Sequence, residues 1–461
     1  VSLRERLKTA EPVAAVEVAS ARTVGPARVA YQELKKNLHK MVLERMDLEA
    51  ASRVSHDRLR EELRLLIGQL LHEQSLVVNE AERRTLVRDI QDEMLGLGPL
   101  ESLLADRSIS DILVNNSQQI YVERLGRLEL SDVTFTDDNH LLQIIDRIVA
   151  RVGRRIDESS PMVDARLADG SRVNAIIPPL SLDGPVLSIR RFGSTPLTLP
   201  AMLKLGSLTP AMAEVLMGVA KAKLNTLVSG GTGSGKTTLL NVLSGFIPSH
   251  ERVITIEDAA ELQLQQPHVV RLETRPANIE GRGEVTPRAL VRNALRMRPD
   301  RIILGEVRDA EAIDLLQAMN TGHDGSMGTI HANTPREALT RLENMVGMSG
   351  LNMSTRVMRA QIASAITVIV QTMRLSDGRR KIVSVQEITG LEGEIITMQE
   401  IFGFRQTGVD ETGVVQGHFA ATGVRPKFAE RTLAHGIKFS EELFDPSRRD
   451  EMRISPVGVR P

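Results

Sequence analysis

At 461 residues the chain is longer than one ordinary hydrophobic core supports, and about 100 to 200 residues per domain implies two to four units. Its 41% hydrophobic and 25% charged residues exclude a disordered or fibrous chain, and 58 Lys plus Arg against 59 Asp plus Glu, a net charge of −1, leave no overall pull toward nucleic acid or anionic membrane. The absence of cysteine removes disulfides, thiolate zinc sites and thiol nucleophiles together and fits a reducing, cytoplasmic setting; no apolar run approaches the roughly 18 residues of a membrane span.

Residues 1–28 lack the continuous apolar stretch and small-residue cleavage site of a secretory signal and read as a mobile tail. Residues 29–92 read as a helical module, because Leu34, Leu38, Met41 and Val42, then Leu59, Leu63, Leu66, Ile67 and Leu70, recur at helical spacing. The charges Arg58, Arg60, Glu61, Glu62 and Arg64 fall between those apolar positions, as a solvated helix face requires. Residues 93–197 change to short strands, at Ile112 to Val114, Ile120 to Glu123 and Leu128 to Leu130, around a Leu125-Gly126 turn. A helix follows at Leu141, Leu142, Ile145, Ile148 and Val149, then a hairpin turning at Asp169-Gly170 and a strand from Val186 to Ile189 that ends a small α+β domain. Gly193 to Pro200 is rich in Ser, Thr and Pro and predicts an interdomain linker over 198–205. From 206 to 461 strands and helices alternate as in an α/β domain, with Phe402, Phe404, Phe428, Phe439 and Phe444 packing a small C-terminal subdomain.

The strongest chemical signal is Gly230-Gly231-Thr232-Gly233-Ser234-Gly235-Lys236-Thr237-Thr238, set between a buried strand (Asn225 to Ser229) and an apolar helix (Leu239, Leu240, Val242, Leu243). That is the pattern of a phosphate-binding loop. Glycines let the backbone curl with its N–H groups toward phosphate, Lys236 neutralises the β and γ oxygens, Thr237 reaches Mg2+, and the helix N-terminus adds its dipole. ATP with Mg2+ is the implied ligand.

Hydrolysis needs a group that positions water, and the buried run Arg301 to Leu304 delivers Gly305 and Glu306 at its carboxyl end. Glu306 is the candidate base; a carboxylate beside Arg308 also has a purely structural reading as an ion pair. Gly305 stands where an ordinary Walker B strand carries aspartate, which leaves magnesium to Thr237 and water. Val253 to Ile256 precedes Glu257 and Asp258, and Met327 to Ile330 precedes His331, so three strands deliver polar groups to one sheet end. The acidic pair can hold magnesium through its waters, or Asp258 can cap a following helix; His331 can bond the γ-phosphate or serve as a structural residue.

In order and spacing, Gly230 to Thr237, Ile254-Thr-Ile-Glu-Asp258, Gly305-Glu-Val-Arg-Asp309 and Gly328-Thr-Ile-His331 resemble the Walker A, Asp box, atypical Walker B and His box of the type II and type IV secretion ATPases. Leu272 to Pro276, Asn278 to Glu284, Arg292 to Asp300 and Met319 to Ser326 look most like the CpaF/TadA branch, the Tad pilus ATPases, although Ala310 departs from the glycine pair expected there. The resemblance implies a RecA-like motor domain preceded by a smaller hinged domain, a homo-hexamer, and an inner-membrane platform protein as partner, reached from the cytoplasmic face. It further implies arginines of the preceding domain at the phosphates: Arg172 and Arg190 are the candidates, with Arg166 and Arg191 as alternatives. Two other readings stay open. A nucleic-acid motor is suggested by Arg271, Arg275, Arg282, Arg288, Arg292, Arg296 and Arg298, but with no Trp, 2 Tyr and 9 Phe few side chains can stack on bases, so no stable nucleic-acid partner is expected. A nucleotide-regulated scaffold without turnover is the other.

Overall fold

The computed structural model describes residues 26–46, 55–74, 78–124, 127–191, 197–275, 277 and 281–447. The tail up to residue 25, the Leu125-Gly126 turn, residues 193–196, Pro276 and Asn278 to Glu280 lie outside the described residues. By its contacts the chain divides into two units: 1–121 with 130–165 and 175–187, and 122–129 with 166–174 and 188–461.

The first unit opens with three helices, α1 (Pro26–Arg45), α2 (His56–Glu73) and α3 (Glu80–Leu95). Helix α1 starts inside the stretch expected as tail, with Pro26 in its first turn, where the missing N–H is not needed. Leu38, Val42, Leu63, Ile67, Leu70, Leu86 and Ile90 form their shared core, while Arg58, Arg60, Glu61, Glu62 and Arg64 stay exposed. Asn79 and Glu82 begin α3 with a capping box, each side chain satisfying the other's backbone N–H. The chain then runs through helix α4 (Leu100–Ala105), β1 (Ile109–Asn116), β2 (Gln119–Arg124), β3 (Arg127–Leu130), α5 (Asp138–Arg151), β4 (Met162–Arg166), β5 (Arg172–Ile176) and β6 (Val186–Arg190), of which residues 122–129, 166–174 and 188–190 belong to the second unit. The six strands lie in the order β3-β2-β1-β6-β5-β4, so the last strand in sequence sits in the middle of its sheet. Gly170, at φ +89°, makes the β4–β5 turn.

Residues 198–205, expected as linker, carry a short helix, α6 (Leu199–Lys204), because Pro200 occupies a first-turn position and Thr198 is extended before it. The second unit continues through α7 (Pro210–Lys221), β7 (Thr226–Gly230), α8 (Lys236–Ser244), β8 (Val253–Glu257), β9 (Val269–Glu273), α9 (Pro287–Ala294), β10 (Arg301–Val307), α10 (Glu311–Asn320), β11 (Met327–Ile330), α11 (Pro335–Met348), α12 (Thr355–Ala365), β12 (Val368–Arg374), β13 (Arg380–Glu392), β14 (Ile395–Val409), β15 (Val415–Ala421) and α13 (Phe428–Ala434). Its sheet has nine strands in the order β15-β14-β13-β12-β7-β11-β10-β8-β9; β7 to β12 pair in parallel and β12 to β15 as an antiparallel meander. Leu227 and Val228, neighbours on β7, belong to different cores, as alternation across a sheet covered on both faces demands.

The phenylalanines do not build a separate subdomain. Phe402, Phe428, Phe439 and Phe444 are buried in the same core as Met212, Leu216 and Leu240, with Phe404 packed against it, because β13–β15 extend the main sheet and carry its apolar face onward. Nor does a helix follow Asp258: residues 259–266 are irregular, for a reason that lies in Glu257.

Candidate functional site

The phosphate loop leaves the carboxyl end of β7, which pairs with β12 on one side and β11 on the other. Gly235 precedes α8 at φ +101° and ψ 20°, a left-handed conformation that glycine alone adopts cheaply, and this turn directs the backbone into the helix. Ser234 Oγ donates to Gly231 O (2.8 Å) and meets Thr372 Oγ1 at 2.9 Å, so the loop is fastened to β12 beneath it. Lys236 Nζ donates to Gly230 O (2.9 Å) and Gly231 O (3.0 Å), spanning the loop it belongs to. Burial lowers the Lys236 pKa, with Glu306 acting the other way.

A cavity of about 460 Å³ opens over this loop, lined within the second unit by Gly231 to Thr238, Glu257, Asp258, Gly305, Glu306, His331, Arg172 and Arg190. Of the residues singled out from the sequence, Gly231 to Thr238, Glu257, Asp258, Glu306, His331 and the two favoured arginines, Arg172 and Arg190, line the cavity, while Gly230 is buried at the end of β7. Arg166 instead pairs with Glu273 at 3.0 Å, and neither it nor Arg191 lines the cavity. Arg308, Glu261 and Arg380 also line it and were not anticipated there. Arg308 was visible only as a neighbour of Glu306; Arg380 had no local motif, since its place comes from strand pairing more than a hundred residues from the loop.

Glu306 owes its aim to a β-bulge. Leu304 pairs with Gly328 and Val307 with Ile330, so Gly305 and Glu306 together face the single residue Thr329, whose Oγ1 donates to Gly305 O at 2.5 Å. A bulge breaks the alternation of side chains and re-aims one of them, which is why such irregularities gather at functional sites. Glu306 Oε2 accepts from Arg308 Nε (2.8 Å) and Nη2 (2.6 Å), and Arg308 Nη1 donates to Asp258 Oδ2 at 2.7 Å. One guanidinium thus joins the acids at the ends of β8 and β10.

Glu257 explains two irregularities at once. Its side chain, 4% exposed, crosses in front of β10, and a Cβ at position 305 would lie 2.8 Å from Glu257 Cγ. Glycine at 305 is thus the residue that leaves room for a carboxylate supplied by the adjacent strand. Glu257 Oε2 accepts from the backbone of Glu261 (2.7 Å) and Leu262 (2.8 Å), pinning the chain in the irregular path that replaces a helix. Oε1 is buried without a hydrogen-bond partner among the described residues, and burial raises the Glu257 pKa to about 7 against the pull of those two N–H groups.

The cavity suits a nucleotide with magnesium. Its volume falls within the roughly 300 to 1,000 Å³ usual for small-molecule sites. Among the described residues no cluster of three or more acidic or imidazole groups forms a metal cage, so Mg2+ would be held by Thr237 with phosphate oxygens and water, as this reluctantly dehydrated ion favours.

A phosphate loop at the end of a central parallel strand, facing acids from the carboxyl ends of β8 and β10 in the same sheet, defines a P-loop α/β fold of the RecA-like kind. The family comparison agrees: the chain belongs to the type II/IV secretion system protein family, a superfamily of secretion ATPases, whose profile matches residues 93–416. A Mycobacterium tuberculosis protein named, provisionally, for conjugal transfer is 39% identical over 325 residues, covering 69% of this chain and 92% of its own length. The conjugal transfer protein TrbB of Rhizobium radiobacter is 34% identical over 312 residues, 67% of this chain and 91% of its own. The type IV secretion system protein VirB11 of Bartonella quintana is 30% identical over 325 residues, 63% and 91% respectively. Among solved structures, the VirB11 ATPase of Brucella suis has 30% identity and a TM-score of 0.34, covering 62% of this chain and 91% of that one. With so low a score, the fold assignment rests on the sheet order and the phosphate loop. No helix among the described residues is long and apolar enough to cross a membrane.

Proposed function

We propose that the protein is a Mg2+-dependent ATP hydrolase that works as a homo-hexameric motor of Tad-type pilus assembly, on the cytoplasmic face of the inner membrane, through a polytopic platform protein. The observation that carries the enzymatic part is the single cavity shared by the phosphate loop, Glu257, Glu306, His331, Arg172 and Arg190. In this reading Lys236 and the N–H groups of residues 231–238 bind the phosphates, and the Thr237 hydroxyl holds the magnesium that offsets their charge. Glu306 takes the proton of the attacking water, Arg172 and Arg190 stabilise charge on the transferred group, and His331 bonds it. The smaller domain over 93–197, reached through 198–205, would close on the motor domain as nucleotide binds. The pilus branch rests on the segments Leu272 to Pro276, Asn278 to Glu284, Arg292 to Asp300 and Met319 to Ser326.

The test is phosphate release with Mg-ATP across protein concentrations. Turnover should rise faster than linearly with protein as copies associate, and Glu306→Gln should lower it by about 10² to 10⁴-fold. Nucleotide binding with no turnover at any concentration, even with a membrane partner in lipid, would replace this reading with the scaffold.

A second reading, a type IV secretion motor moving protein or DNA, is favoured by relatives whose names refer to conjugal transfer and type IV secretion. Direct DNA contact by the arginine cluster has less support. Arg288 and Arg292 bind the two oxygens of buried Asp314 at 2.9 and 2.8 Å, and Arg275 donates to Gly283 O at 2.7 Å. Single-stranded DNA affinity that falls steeply with salt would restore it.

A further inference from the structure

Strand β13 begins with Arg380, Lys381 and Ile382, none of which the sequence singled out. Arg380 Nε donates to Gly233 O of the phosphate loop at 2.7 Å, and its Cδ lies 3.6 Å from where a Cβ on Gly235 would stand. The guanidinium stem therefore lies along the two glycines that shape the loop. Successive residues of a strand face opposite ways, and Lys381 accordingly turns into the protein, 5% exposed. Its Nζ donates to Gly206 O at 2.8 Å and sits 5.2 and 5.3 Å from the ring centres of Phe404 and Phe419. The next residue continues the clasp, with Ile382 N donating to Ser207 O at 2.8 Å.

Gly206 and Ser207 form the turn that ends α6. Their own N–H groups bond back to Leu203 O and Met202 O, both at 2.9 Å, so the turn is a rigid piece. The start of β13 is fixed as well: Arg379 is bonded to Asp377 Oδ2 and to Val415 O. Two anchored pieces, the phosphate loop and the α6 turn, are thus joined through three consecutive residues of one strand. Burial lowers the Lys381 pKa to about 8, and the Gly206 carbonyl with the two phenylalanine faces is what keeps a lysine in that place.

We propose that Arg380 is a positioning residue for the phosphate loop and that Lys381 passes the loop's position to the Gly206–Ser207 turn, so that nucleotide at the loop is felt at the end of α6, within the same unit. The inference rests on the cavity binding nucleotide. Lys381 acts on the turn and not on the ligand, which separates the two roles experimentally.

The experiment is backbone hydrogen exchange of the full chain with and without ADP, with ADP affinity measured alongside. In the unaltered protein ADP should change exchange both in the phosphate loop and at residues 206–208. Arg380→Ala, at an exposed position, should weaken ADP about tenfold and abolish the response at 206–208, and Arg380→Lys should recover part of both. Lys381→Met should keep ADP affinity within about twofold and the loop response intact, while losing the response at 206–208. A full response at 206–208 in Arg380→Ala or in Lys381→Met overturns the proposal, and the arginine variant decides alone where the lysine variant does not fold. Failure of the unaltered chain to bind ADP would overturn the nucleotide reading itself, and this link with it.

Discussion

Strand β10 has an arginine at either end, and the two do opposite things. Arg301, where the strand begins, is wholly buried: Nε and Nη2 bind the two oxygens of Glu251 at 2.6 and 3.1 Å, and Nη1 donates to Ala220 O at 2.7 Å. Arg308, just past the strand's end, is 56% exposed and reaches Glu306 and Asp258 across the cavity wall. The same kind of side chain is a buried structural pin at one end and an accessible contact at the other. In a parallel sheet the carboxyl ends of the strands face the ligand and the amino ends do not, so stability and chemistry separate along the length of one strand.

The largest expected effect breaks the buried end. Arg301→Met leaves the Glu251 carboxylate, among the described residues, with Lys223 at 3.5 Å as its ion-pair partner, and denaturant unfolding should show a loss of about 3–5 kcal/mol. Adding Glu251→Leu should return much of it, because a buried ion pair can be replaced by well-packed apolar groups. Next comes the middle of the site. Gly305→Ala drives a methyl to 2.8 Å from Glu257 Cγ, which should cost about 1–3 kcal/mol by overpacking and lower turnover as well.

Glu257→Gln sharpens the comparison through pH. The native carboxyl keeps its proton up to about pH 7, while the unfolded chain loses it near the ordinary value of 4.5. Below both values the group's contribution to stability is fully present, and it declines as pH rises from 4.5 to about 7, by at most about 1.4 kcal/mol per unit. Unfolding of the nucleotide-free protein should lose that slope in the glutamine variant. The smallest stability effect belongs to the open end. Arg308→Ala should change unfolding by about 0–1 kcal/mol, yet lower kcat about tenfold as Glu306 loses the contact that orients it. A large stability loss there would erase the distinction between the two ends.

The sequence made legible whatever chemistry sits in local runs. The phosphate loop, Glu257, Glu306 and His331 each come at the end of a short apolar run, and parallel pairing of those strands brings them to one sheet end. What it hid depends on partners distant in the chain. Arg380 reaches Gly233 only because β13 pairs with β12, and β12 with β7. The phenylalanines looked like a subdomain because aromatic content says what is buried but not against which neighbour. The expected helix after Asp258 failed because Glu257 captures the N–H groups of residues 261 and 262, a side-chain bond that propensity does not register. The glycine at 305 was legible as a departure from an ordinary Walker B strand; its cause, a side chain arriving from the next strand, was not.

The bulge carries a consequence of its own. Because two residues of β10 stand opposite Thr329 while Leu304 and Val307 stay in register on either side, the direction of the Glu306 carboxylate is encoded as a count of residues. A substitution elsewhere on the strand leaves that count intact, whereas loss of the single residue at 305 would remove the bulge, restore the alternation and turn the carboxylate aside. At this point in the chain the number of residues matters as well as their identity.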